Sequence, residues 1–259
     1  MRMGTIILLV ETLGGKGVKM VANIAYMLSA FADYARLTYN KDDVISILSS
    51  SDDATLFPSV AQEILPDGSV MQRMNFTGRS GTLTMALRSG RMDFSLVTTE
   101  PKGFSDVDIA EVKSALISAL RGIYDVFGDR AAMPARLAWN TSYLYLCKDG
   151  QELSAYRDRF LAKCGFFDEG RLEDTLIRYA ARRDVGVGGH EERFNVISTI
   201  SDYAPPQEES ANMRGYRIDY DINTWQGNTT NRFGMDAVGE FVEAATKIQQ
   251  QLNGEMLPR

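Results

Sequence analysis

The chain has 259 residues, 44% hydrophobic and 24% charged, which excludes an intrinsically disordered protein and allows a sizeable core in one or two domains. Lys and Arg total 28 against 34 Asp and Glu, and the net charge of −6 excludes a chain-wide attraction to nucleic-acid backbones or anionic lipid. The two cysteines, Cys147 and Cys164, have no metal-ligand spacing. Their low number suits a reducing compartment, so a cytoplasmic location is expected. No stretch approaches the roughly 18 apolar residues of a membrane span, and no membrane partner is expected.

The first segment, "TIILLVETLGGKGVKMVANIAYMLSAF" over residues 5–31, reads as an apolar strand, a glycine-rich turn and an amphipathic helix in "VANIAYMLSAF". It resembles the K-G-G-x-G-K-[ST] phosphate loop of partition-type ATPases. Gly14, Gly15 and Gly17 match that pattern. Leu13, Val18 and Lys19 depart from it at the signature lysine, the phosphate lysine and the magnesium hydroxyl. What the resemblance implies is an anion or nucleotide sensor on Gly14, Gly15, Lys16, Gly17 and Lys19, binding without hydrolysis. Met20 is also an alternative start, which would place residues 1–19 outside the native fold.

From Ser69 to Thr99 apolar and polar residues alternate, with turns at residues 78–81 and at Ser89-Gly90, predicting a three-strand antiparallel meander. Ser105 and Asp108 form a capping pair ahead of Ile109, Val112, Leu116, Leu120, Ile123 and Phe127, the buried stripe of a long helix. A strand over residues 136–147 completes a βββαβ unit. Helical spacing then recurs over residues 152–163 and 171–183, and two strands are predicted at 193–203 and 213–223. A closing helix carries Val238, Phe241, Ala245, Ile248 and Leu252 and stops at Gly254. The expected fold class is α+β, divided near Lys148 into residues 1–150 and 151–259 or continuous through both. No internal repeat is visible.

The candidate chemistry is sparse. "RIDYDIN" places Arg217, Asp219, Asp221 and Asn223 on one strand face, and Asp219 with Asp221 are the only metal candidates, without a complete ligand set. His190, the single histidine, lies in "DVGVGGHEERF", read as a glycine-rich surface loop. Arg178, Arg182 and Arg183 fall on one predicted helix and, with His190 and Arg193, are the nucleic-acid candidates of an RNA-binding ferredoxin-like alternative. The net charge argues against that partner. No nucleophile elbow is present, so no catalytic residue and no cofactor is assigned.

The order of "MRGYRIDYDINTW" and the helix "MDAVGEFVEAATKIQQQL", together with the meander "TLTMALRSGRMDFSLV", resembles a sporadically distributed, uncharacterised bacterial protein family across residues 69–253. The resemblance implies an α+β architecture and an accessory role. A non-enzymatic interaction or scaffold protein is therefore expected, in contact with another protein or with itself.

Overall fold

The computed structural model describes residues 19–50, 56–78, 82–98, 103–105, 108–161, 174–204 and 214–258. In chain order these form β1 (Lys19–Phe31), α1 (Lys41–Ser50), β2 (Leu56–Ile64), β3 (Val70–Gly78), β4 (Leu83–Leu87), β5 (Met92–Val97) and α2 (Asp108–Phe127). Then come β6 (Arg136–Cys147), α3 (Gly150–Asp158), β7 (Leu176–Val187), β8 (His190–Tyr203), β9 (Arg214–Thr224) and α4 (Met235–Met256). The fold class is α+β. All nine strands join one antiparallel sheet in the order β2-β3-β4-β5-β1-β6-β9-β8-β7.

The order of elements occurs twice. A long strand and a short helix lead into an antiparallel meander and a long helix, first as β1-α1-β2-β3-β4-β5-α2 and then as β6-α3-β7-β8-β9-α4. In each half the opening strand pairs with the last strand of its own meander, β1 with β5 and β6 with β9. The two opening strands pair with each other at the centre. This repeat escaped the sequence because it lies in the order of elements and in pairing, while the two meanders differ by one strand.

Helices cover one face of the sheet. Tyr26, Leu28 and Ala30 from β1, Leu137 and Trp139 from β6, and Phe194 and Val196 from β8 share a core with α1, α2 and α4. The six apolar residues expected on α2 are all buried there. Beside them Tyr143, Tyr145, Ile218 and Tyr220 meet Leu153 and Tyr156 of α3. On the other face the side chains of Asp93, Asn140, Asp219 and Asp221 are only partly covered.

Three sequence expectations are corrected. Residues 21–31 are a strand, not a helix: β1 lies between β5 and β6, and a strand buried in mid-sheet reads as an apolar run that periodicity does not separate from a helix. Residues 176–187 are likewise a strand, paired with β8 along its whole length. There the helix-like spacing of Leu172, Leu176 and Ala180 loses to cross-strand pairing. Finally, α4 passes through Gly254 to Met256, since that glycine does not take the positive φ of a helix stop. The strand β2 has no counterpart among the expected elements.

A buried polar network ties α4 to the sheet centre. The Trp139 Nε1–H donates to Gln249 Oε1 at 2.9 Å, while Gln249 Nε2 and Asn253 Nδ2 donate to the Tyr143 hydroxyl at 2.6 and 2.9 Å. Gln249 is fully buried. Leucine at 249 keeps the volume and leaves the indole N–H without its acceptor, so Gln249→Leu is expected to cost about 1–3 kcal/mol. Urea unfolding followed by tryptophan fluorescence checks this, and an unchanged midpoint refutes it.

Candidate interaction surface

Each half of the sheet ends on the first strand of its meander, so among the described residues the two edges are β2 and β7. Of the ten large hydrophobic side chains exposed among the described residues, five lie on these two strands: Phe57, Val60 and Ile64 on one, Leu176 and Tyr179 on the other. That concentration distinguishes the edges from the rest of the surface, where single exposed apolar residues need no explanation.

The two edges differ in what their backbones offer. In the β2–β3 hairpin Leu65 N–H donates to the Ser69 carbonyl, and the register runs without a break from there to Leu56↔Gly78. Antiparallel alternation then directs the backbone groups of even-numbered β2 residues off the edge. Tyr39 N–H, which donates to the Gln72 carbonyl on the side of β3 away from β2, fits the same phase. Pro58 falls in the outward set. It removes an N–H where an added strand would need one, which is how natural sheets guard an edge.

In the β7–β8 hairpin, Asp202 N–H donates to the Thr175 carbonyl at one end, and Val187↔His190 closes a two-residue turn at the other. Gly188 and Gly189 there have φ of +63° and +74°, the pair of positive values that a type I′ turn requires. The segment read as a glycine-rich loop is therefore a tight hairpin. Odd-numbered β7 residues bond to β8, and Trp225 N–H reaching the Arg193 carbonyl on the far side of β8 agrees with that phase. The N–H and C=O groups of Leu176, Arg178, Ala180, Arg182, Asp184 and Gly186 point off the edge. None of these residues is proline.

A groove of about 590 Å³ adjoins this edge on the helix-covered face, between β7 and α4. Val185, Ala244 and Ile248 give it apolar walls, and Arg183, Glu240 and Lys247 give it a charged rim. Arg183 is held by Gln251 Oε1 at 2.8 Å, and Glu240 Oε2 accepts from Gly188 N–H at 2.6 Å, so the hairpin turn is anchored to α4. An open strand ladder beside a lined groove can receive an extended polypeptide, main chain against the edge and alternate side chains in the groove.

The residues singled out from the sequence are dispersed. Gly14, Gly15, Lys16 and Gly17 lie outside the described residues. Lys19 opens β1, with Nζ 3.0 Å from Glu152 Oε1, and a strand follows it where a phosphate loop needs a helix N-terminus. Arg178, Arg182 and Arg183 lie on a strand instead of one helix face. Its alternation puts Arg183 on the helix-covered side and the other two on the open side. His190 opens β8, exposed, and Arg193 donates to Asp184 Oδ1 at 2.9 Å. Asp219 accepts from Ser142 Oγ at 2.5 Å and Arg217 Nε at 2.9 Å, and Asp221 accepts from Asn223 Nδ2 at 2.8 Å. Among the described residues no group of three or more His, Cys, Asp or Glu is placed to hold a metal ion. No helix among them is long and apolar enough to cross a membrane. Tyr179, Ala180 and Asp184 were missed as surface residues of interest. The Gly188-Gly189 pair between alternating segments was the sequence signal for the hairpin that exposes them.

The guarded β2 edge is also clamped. Arg73, fully buried, donates to Glu63 Oε2 at 2.6 Å and to the carbonyls of Tyr34, Ala35 and Leu37, while Ser89 Oγ donates to Glu63 Oε1 at 2.8 Å. Burial alone would raise the Glu63 carboxyl, but the Ser89 hydroxyl, the Arg73 guanidinium and the Ser89 N–H outweigh it and hold the group below the usual carboxylate range. A carboxyl held low when folded adds stability above its unfolded pKa and loses it as the pH falls through the folded one. Glu63→Gln is therefore expected to flatten the fall in stability between about pH 5 and about pH 3. Urea midpoints of both proteins across that range check the slope, and equal slopes refute it.

No protein-family model matches the chain, and no curated protein matches it.

Proposed function

We propose that this protein is a non-enzymatic interaction protein, a scaffold that takes up another polypeptide as an added strand on β7, beside the groove under α4. The observation that carries this is the ladder of β7, which no proline interrupts and no strand covers among the described residues, and which stands against the proline-interrupted ladder at the opposite edge. The polar groups of the open face, by contrast, are engaged with one another. Ser29 donates to Asp93, Ser142 and Arg217 to Asp219, and Asn195 and Asn223 link on to Asp221, while Ala22 and Leu144 form a buried apolar pair on the same face. The accessory role implied by the family resemblance agrees with such a scaffold.

A photo-crosslinking side chain placed at Tyr179 and, separately, at Val60 tests it. The two positions are about equally exposed, at 46% and 49%, and sit on opposite edges. Discrete crosslinked species from position 179 and none from position 60 are expected. Equal crosslinking from both positions, or none from 179, overturns the assignment of the edge. Catalytic turnover that disappears in His190→Ala or Asp219→Ala would overturn the non-enzymatic role itself.

A further inference from the structure

We infer that the strand added to β7 is β7 of a second copy of this chain, paired antiparallel about a two-fold axis through Ala181. This rests on the β7 edge being the docking surface and adds the identity of its occupant. Because the outward backbone groups belong to even-numbered residues, two copies pair productively only where even residues face even ones. Registers that satisfy this condition differ in which residue lies on the axis, and the side chains choose among them.

With Ala181 on the axis, Arg178 faces Asp184 of the second copy and Asp184 faces its Arg178, so opposite charges meet twice across the seam. Leu176, 72% exposed in the single chain, faces Gly186, which leaves room for it. On the helix-covered side Tyr179 faces Arg183, a cation over an aromatic ring, and Ile177 faces Val185. At the axis two alanine methyls meet, and the small residue lets the strands close without a clash. Centring the axis one residue away, on Ala180 or Arg182, sets Arg178 against Arg182 or Arg182 against its own copy. Charges on an edge strand usually repel a partner strand. Here the one acidic residue of β7, held from β8 by Arg193 at 2.9 Å, is spaced from Arg178 so that self-pairing sets a second cation against it across the seam.

The pairing brings about a dozen main-chain hydrogen bonds to the seam, from the outward groups of six residues in each copy. It also sets the two grooves side by side, since a two-fold axis perpendicular to the sheet keeps both sets of helices on the same face.

Native mass spectrometry and sedimentation of the full chain at about 20 μM test it. A dimer of twice 28.8 kDa is expected. Proline at 180 removes only an outward N–H and leaves the bonds to β8 intact, so Ala180→Pro should keep the circular dichroism and melting temperature of the parent while weakening the dimer by about a hundredfold. Arg178→Glu and Asp184→Arg should each weaken self-association by about tenfold. Mixed together, those two variants restore opposite charges at both seams and should form a heterodimer in preference to either homodimer. A dimer untouched by Ala180→Pro, or charge variants that fail to recover on mixing, overturns the self-pairing. A monomeric parent whose position 179 crosslinks to a different protein overturns the second copy and leaves the docking edge standing. A monomeric parent with no crosslink at 179 overturns both.

Discussion

The pairing of β1 with β6 is the contact on which the rest of the molecule depends. It matches Lys19 through Phe31 against Arg136 through Cys147, the longest pairing that joins the two halves. At the seam Leu28 faces Trp139 and Ala30 faces Leu137 on the helix-covered side, so the middle of the core is assembled from both halves. Neither half closes this core by itself: α2 and α4 pack together over it, and Lys113 bonds Glu243 at 2.6 Å between them. The buried hydrogen bonds from Gln249 and Asn253 of α4 to Trp139 and Tyr143 sit on the same strand pair. Polar groups this deep fix the position of the helix more narrowly than apolar contact does, because any shift leaves a buried donor or acceptor without its partner.

Joining the halves at their opening strands has a geometrical consequence. The strands that follow each short helix, β2 and β7, are pushed to the outside, and among the described residues the nine strands of the sheet leave both of them as edges. A closed barrel would have no such edges. The architecture therefore creates two places where main-chain groups face outward, and the sequence treats them differently. Pro58 interrupts one, and the Glu63–Arg73 clamp binds it to the segment after β1. The other runs for twelve residues without a proline, its even-numbered residues directing their main-chain groups outward, and is tied to α4 by the hydrogen bonds of its turn and of Arg183 and by the apolar packing of Val185 and Val187.

How much of this was legible depended on whether a segment's environment was two-sided. The half-buried strands β3, β4 and β5 alternate cleanly, and α2 places Ile109 through Phe127 at helical spacing, so both kinds of element announced themselves. The strand β1 did not, because mid-sheet burial gives "VANIAYMLSAF" apolar residues on both faces and erases the period that tells strand from helix. β7 failed for the opposite reason. As an edge it is exposed on almost every residue, so no buried stripe marks it, and Arg178, Arg182 and Arg183 were free to imitate a helix face. On the face away from the helices, Arg217, Asp219 and Asp221 are partly exposed in β9 as the alternation predicts, whereas Asn223 is buried. The candidate surface was not legible at all, since an edge is a property of strand order, and strand order is set by pairings far apart in the chain.

The same contrast explains why the glycine-rich segments carry different weight. A phosphate loop works through the helix N-terminus that follows it, and the strand that begins at Lys19 removes that partial positive charge whatever the glycines before it do. Gly188 and Gly189, in contrast, have a definite task. Their positive φ values make the tightest connection available between β7 and β8, and that connection sets which backbone groups of β7 face inward. With Val187 and His190 as the closing pair, the odd-numbered residues of β7 bond to β8 and the groups of Arg178 and Asp184 face outward. The turn thus decides, from outside the edge, which side chains accompany the open ladder. Arg178, Ala180 and Asp184 present themselves there because each lies an odd number of residues before Val187, which closes the two-glycine turn against His190.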